Sequence, residues 1–166
     1  MSQSVAERLS DLQQRVAELL ADVEHVPDAV LYRAPGPDAW PIMSTLAHVA
    51  EVLPYWAAQA THIVRNPGAP FGRTHEDPNR IAAVEAHAED ARSIVLGRIR
   101  EGLAQAVAAL EAIPAEAWAR TGQHARRGTM SVEQVFDDFI LGHVEEHRTQ
   151  VQAALKALAG YSSQVP

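Results

Sequence analysis

Two histidines four residues apart, His143 and His147, are the residues of this sequence best suited to hold a metal ion. On a helix, positions i and i+4 project side by side with Cβ atoms about 6 Å apart, so two imidazoles reach one cation. The pair continues an apolar stripe of Val132, Val135, Phe136, Phe139, His143, His147 and Val151, which directs both rings inward. Two neutral imidazoles buried together need partners for their ring nitrogens. A metal provides them, and so does a hydrogen-bonded core arrangement with Glu or a buried water. Spacing leaves both open, because the chain holds eight histidines and such a pair arises readily by chance.

A third ligand has to come from another element. His48 stands beside the core-facing Val49 in a second helical pattern, although a lone histidine there is equally a helix-boundary residue. His25, His75 and His124 fall in expected loops, and His62 and His87 near helix ends or polar faces. His143, Glu146 and His147 also match H-x-x-E-H, the inverted zinc-protease signature. That chemistry needs a downstream carboxylate ligand, and no Asp or Glu follows Glu146. Two carboxylates are placed to act as general base or to orient a ligand: Glu51, one turn after His48, and Glu146. Either is equally a solvent-facing side chain. Gln150, three residues after His147, can orient a ring. Trp40, Trp56 and Trp118 read as packing residues.

Four helices must position these residues. The first runs from about Ser4 to Glu24, with Ser4 and Glu7 at capping-box spacing and Val5, Leu9, Leu12, Val16 and Leu19 as its stripe. After a connection rich in Pro and Gly, the second starts near Pro41 and ends by Asn66, with Pro54 inside it to kink or split it. A single long pattern, capped by Asp77-Pro78, extends to about Ile113, where Gly97 and Gly102 can bend it. The last starts at the Ser131/Gln134 capping pair and ends before Gly160. No strand signal and no repeat are found. The expected class is all-α: a four-helix bundle with long interhelical connections, in one domain over 1–166. Connections longer than the usual ~2–8 residues allow a non-simple helix order or a pocket wall.

Composition narrows the chemistry. Net charge is −7, against binding to a phosphate backbone, and the only basic cluster, Arg126-Arg127, reads as a solvated loop. Cysteine is absent, which removes disulfides, thiolate ligands and a catalytic Cys, so any thiol chemistry needs a thiol from outside the chain. No apolar run approaches the ~18 residues of a membrane span, and Met1–Glu7 lacks the features of a secretory signal, so a cytoplasmic protein is expected. One Lys, Lys156, among 14 basic residues in an Ala-rich chain suggests a GC-rich bacterial genome.

Two segments resemble a known family. Pro35-Gly36-Pro37-Asp38-Ala39-Trp40 with Leu46-Ala47-His48-Val49-Ala50-Glu51 is similar to the first signature of the DinB/YfiT-like superfamily. Gly128-Thr129-Met130-Ser131-Val132-Glu133 with His143-Val144-Glu145-Glu146-His147-Arg148-Thr149-Gln150 is similar to the second. Pro41 departs from the Ser usual after Trp, which removes a helix cap. The resemblance implies a four-helix bundle with a divalent metal on three histidines, one from the second helix and two from the fourth; carried over, these are His48, His143 and His147. Three neutral imidazoles leave open coordination positions, which suits catalysis better than structure, and zinc, nickel and iron(II) all accept imidazole. The activities implied are a metal-dependent transferase or isomerase using a low-molecular-weight thiol on small electrophiles, a metal-dependent hydrolase, or a non-catalytic stress-response bundle. The last requires that no pocket adjoin the metal. Apolar-striped helices also make a homodimer an expectation.

Overall fold

The computed structural model describes residues 3–162; the ends of the expected unit, 1–2 and 163–166, lie outside the described residues. Helix α1 (Val5–Val23) is capped as expected, with reciprocal Ser4 and Glu7 bonds, and buries Leu9, Leu12, Val16, Leu19 and Val23. A one-turn helix α2 (Asp28–Leu31) lies within the following connection. Helix α3 (Ile42–Arg65) has Pro41 at its cap position without a side-chain bond, as the missing Ser implies.

Pro54 does not split α3. It cannot donate to the Ala50 carbonyl four residues earlier. Gly102 of helix α5 (Arg92–Glu111) packs against this spot: a methyl group there would lie 2.8 Å from that oxygen and 3.2 Å from Pro54 Cδ. Glycine thus allows the two backbones to close where the proline has disturbed the ladder, and α5 runs through both Gly97 and Gly102 without a break.

The single long helix expected after Asp77 is two helices: α4 (Pro78–His87) and α5, separated by residues 88–91. The Asp77 side chain caps α4 through the Asn79 and Arg80 N–H groups. The break is tied by side chains. His87 Nδ1 lies 2.8 Å from the Asp90 carboxylate, and the Tyr32 hydroxyl donates to the Asp90 carbonyl at 2.6 Å. The local His87–Asp90 contact competes with the helix ladder and the long-range Tyr32 bond occupies the Asp90 carbonyl, which together end the helix where no Gly or Pro marks the stop.

The expectation of no strands is also corrected. Strands β1 (Pro70–Phe71), β2 (Thr121–His124) and β3 (Gly128–Ser131) form a sheet in that order, β1–β2 parallel and β2–β3 antiparallel. Segments of two to four residues carry too little alternation to be seen as strands. They join two of the long connections into one wall.

The fourth helix begins at the expected Ser131/Gln134 cap as α6 (Val132–Val135), widens into a π-helical turn over Phe136–Leu141, and continues as α7 (Gly142–Ser162), past the expected end before Gly160. The Gly142 N–H donates to the carbonyl of Asp137, five residues back. One extra residue in the turn rotates the helix face. Phe136, Ile140 and Val144 therefore fill the core, while Phe139 and His143 move to its edge, unlike the uniform stripe expected. A Cβ on Gly142 would sit 2.8 Å from the Asp137 oxygen. Gly142→Ala is expected to lower unfolding stability by about 1–3 kcal/mol, read by urea denaturation, and to displace His143; an unchanged midpoint would show that the turn tolerates the methyl group.

The helix order is non-simple. α3 packs most extensively on α5, α1 packs on α5 and α7, and α3 also packs on α7. The first and second helices thus stand diagonally, as do the third and fourth, which the long connections permit. Arg8 ties α1 to the start of the fourth helix through Glu133 and Asp137, under the rings of Trp118 and Phe136. Arg148 ties α7 back to Glu18 and Asp22 of α1.

Candidate metal centre

The α3–α7 contact brings His48, His143 and His147 together, with one ring nitrogen of each lying within 4.8 Å of the others. His48 is fully buried and His147 nearly so, while His143 stands at the edge of the core. His48 comes from the second turn of α3, and the other two are successive turns of α7 after the π-helical segment. The rings meet edge to face, with centroids 4.6–5.4 Å apart.

The second nitrogens fix which atoms converge. His147 Nδ1 lies 2.8 Å from Gln150 Oε1, an acceptor, so Nδ1 carries the proton and Nε2 presents its lone pair. That Nε2 is buried without a hydrogen-bond partner. His48 Nδ1 faces Glu51 Oε2 at 3.5 Å, an electrostatic contact that favours the same tautomer. His48 Nε2 and His143 Nε2 face each other at 3.2 Å. With His48 and His143 both protonated on Nδ1, their two Nε2 atoms and that of His147 would turn three lone pairs into one small space, an arrangement that fits a divalent cation. Burial lowers the pKa of His143 to about 3, helped by the other two imidazoles, Arg80 and Arg73. Burial likewise lowers His147 to about 4, Gln150 partly opposing it and His48 and Arg80 adding to it. In the metal-free protein both are neutral at pH 7, the form that ligates metal.

The two candidate carboxylates are placed differently. Glu51 is half-buried and bonded to Arg73, whose guanidinium lies 3.8 Å from the Tyr55 ring centroid. Burial pushes its carboxyl up, but His48 and Arg73 together outweigh this and hold it below the usual carboxylate range. Glu146 is exposed, accepts a 3.4 Å bond from Gln150, and lines a cavity. That cavity, of about 330 Å³, opens over His48 and His143, with Val52, Trp56 and Phe139 as its apolar side. Trp56 and Phe139 stack with centroids 4.3 Å apart. Trp40 meets His48 edge-on at 5.9 Å, whereas Trp118 is a core residue.

Sequence reasoning missed much of the polar wall. Arg73, Arg80, Asp138 and His124 all line the cavity, and so do Arg126 and Arg127, assigned above to a solvated loop. Arg127 is ion-paired with Asp138 at 2.6 Å, and Arg126 with Glu76 at 3.4 Å. His124 is buried and fully used: Nδ1 accepts the Arg126 and Arg127 N–H groups, and Nε2 lies 3.3 Å from the Arg73 carbonyl. No periodicity marks these residues, because the small sheet and the start of α4 bring them in from separate loops.

Among the described residues no helix is long and apolar enough to cross a membrane. No curated protein matches the chain in sequence. Solved structures show the same fold at low identity. YfiT from Bacillus subtilis, a probable metal-dependent hydrolase with an unusual four-helix bundle topology, superposes with a TM-score of 0.77 at 15% identity, covering 93% of this chain and 87% of that one. A mycothiol-dependent maleylpyruvate isomerase gives 0.72 at 14% identity, over 90% of this chain but 61% of the isomerase, and TT2238, a four-helix bundle protein, gives 0.65 at 18%, over 90% and 99%. The profile of the DinB superfamily matches residues 8–151, a span that contains all three clustered histidines and takes in part or all of each bundle helix, and the chain belongs to that superfamily.

Proposed function

We propose that this chain is a metal-dependent enzyme in which His48, His143 and His147 hold a divalent cation, and that it uses a low-molecular-weight thiol to attack a small electrophile. The supporting observation is the convergence of one ring nitrogen from each of the three histidines, that of His147 buried without a partner, beneath an open cavity. A cavity beside the histidines disfavours a purely storage or structural role, whose metal would be closed off by four protein ligands. When bound, the cation supplies positive charge that lowers the pKa of a thiol or water entering the cavity. The donor set fits zinc, nickel or iron(II). Glu51 is engaged by Arg73 and lies close to His48, where it orients that ring rather than accepting a proton from substrate. A thiol, with an ordinary pKa near ~8.5, needs little help to ionise at such a site, whereas water needs a base. The chain contributes no Cys, in keeping with a thiol that arrives as co-substrate.

Hydrolysis is the second reading, favoured by Glu146, the one cavity-lining Glu, which stands one helical turn from His143 and can take a proton from water. The two readings separate in one experiment on cobalt-loaded protein titrated with 2-mercaptoethanol and with cysteine. A new near-ultraviolet charge-transfer band supports the thiol reading. Its absence, together with thiol-independent turnover of ester probes that Glu146→Gln lowers about 10²-fold or more, replaces it with hydrolysis.

A further inference from the structure

The cavity over the histidines holds a charge imbalance that points to its ligand. Four guanidinium groups reach its lining, and three have carboxylate partners: Arg73 with Glu51, Arg127 with Asp138, and Arg126 with Glu76. Arg80 alone among them has no ion pair among the described residues. Its NH1 donates to the His75 carbonyl at 3.1 Å, and its guanidinium lies 5.5 Å from the ring centroid of Trp40. Burial and the neighbouring Arg73 disfavour its charged form, Glu51 opposing them, so its environment leaves a positive charge under-compensated. Arg80 also stands close enough to His143 and His147 to lower the pKa of both.

A partly buried guanidinium without a carboxylate is costly to keep, and a planar anion that accepts its free N–H groups removes that cost. The backbone explains why the group is held. Arg80 is the third residue of α4, fixed by the Asp77 cap, so its side chain starts from a rigid helix beside the mouth. On the other side, stacked Trp56 and Phe139 with Val52 offer an apolar surface. We propose that Arg80 is a specificity-determining residue that binds the carboxylate of a small organic acid lying over the histidine cluster, its apolar body against Trp56 and Phe139. This rests on the functional reading above only for what the metal then does; the anion site itself needs no metal. The carboxylate can belong to the electrophile or to the co-substrate thiol, and both present the same group to Arg80.

Tryptophan fluorescence, with Trp40 next to Arg80 and Trp56 in the wall, reads binding directly. Benzoate and its uncharged isostere benzamide are titrated against metal-free and cobalt-loaded protein, wild type beside Arg80→Gln and Arg80→Lys. Benzoate is expected to bind at least about tenfold more tightly than benzamide in both forms, with the preference lost in Arg80→Gln and partly kept in Arg80→Lys. Equal binding of acid and amide in the wild type, or an acid preference that survives Arg80→Gln, overturns the proposal. If cobalt fails to bind, the metal reading falls while the metal-free titration still decides the anion site. 3-Mercaptopropionate and 2-mercaptoethanol, each titrated into cobalt-loaded protein saturated with benzoate, then tell the sources apart: exclusion of benzoate by the thiol acid alone places the carboxylate on the thiol, and joint binding of thiol acid and benzoate places it on the electrophile.

Discussion

Replacing His147 by alanine is expected to strip the protein of metal, from about one ion per chain to a trace by elemental analysis. Zinc held by four ligands in a small peptide is worth ~10–16 kcal/mol, or roughly 2.5–4 kcal/mol per ligand, so losing one of three weakens binding by about 10²–10³-fold. The site is held by few ligands, so that loss takes it below what survives purification. His48→Ala and His143→Ala should behave alike, because each contributes one inward nitrogen to the same space. Glu51→Gln tests the ring orientation: it leaves His48 in place and removes the charge facing Nδ1 at 3.5 Å, so a smaller drop of about 10–100-fold is expected. The far-ultraviolet circular dichroism of each variant, measured without metal, checks that the bundle persists. Full metal content in all three alanine variants would remove the site, and a wild type that takes up no zinc, nickel or iron after reconstitution would remove the metal chemistry with it.

Much of the bundle was readable because its signals are local and repeated. The caps at Ser4 and Ser131 each need only three residues of context, and the stripe of α1 recurs over five turns. The resemblance to a family supplied His48, whose buried position the pattern left open. What failed to show was set by tertiary contacts. The break between α4 and α5 depends on Asp90 reaching His87 and Tyr32, the latter 58 residues away. The π-helical turn depends on Gly142 leaving room for a carbonyl five residues back, which no hydrophobic period reports.

The same turn decides what the site can do. In an unbroken α-helix, Phe139 and His143 would continue the core stripe under Phe136. With the extra residue, Ile140 and Val144 take those places, and His143 is left at the boundary between core and cavity. His143 thus meets the cavity from the edge of the core, beside His48 on the cavity floor, while His147 lies buried behind them. The polar wall opposite comes from residues 73–80 and 124–127, joined through the pairing of β1 with β2. Loops distant in sequence share that wall by strand pairings of two to four residues. Arg80 was therefore invisible to spacing, although its role depends on a cap, Asp77, that the sequence shows plainly.

Metal-free protein is expected to lose stability steeply as the pH falls below about 6.5. In the unfolded chain His143 and His147 take up protons near their usual 6.5; in the folded protein burial holds them to about 3 and about 4. Between these limits the unfolded state binds more protons, so unfolding becomes easier as the pH falls, by up to about 2.7 kcal/mol per pH unit while both sites differ. The loss begins near 6.5 and levels off once the folded histidines are themselves protonated, near pH 3–4. Carboxylates add their own titration at the acid end, so the decisive window is pH 5.0–6.5, about one unit above their usual range. Urea midpoints of wild type and a His143→Gln/His147→Gln variant separate the contributions: the wild type should show the steep slope, and the variant, which cannot take those two protons, a nearly flat one. Equal slopes would mean that the two rings are solvated and titrate normally in the folded state. Saturating zinc should move the wild-type midpoint up by nearly the same free energy from pH 7 to pH 5, because His143 and His147 stay proton-free in the folded protein over that window and protons do not compete with the ion for them. A zinc effect that fades already between pH 7 and pH 5 would place the ion on groups that titrate there, not on these two buried imidazoles.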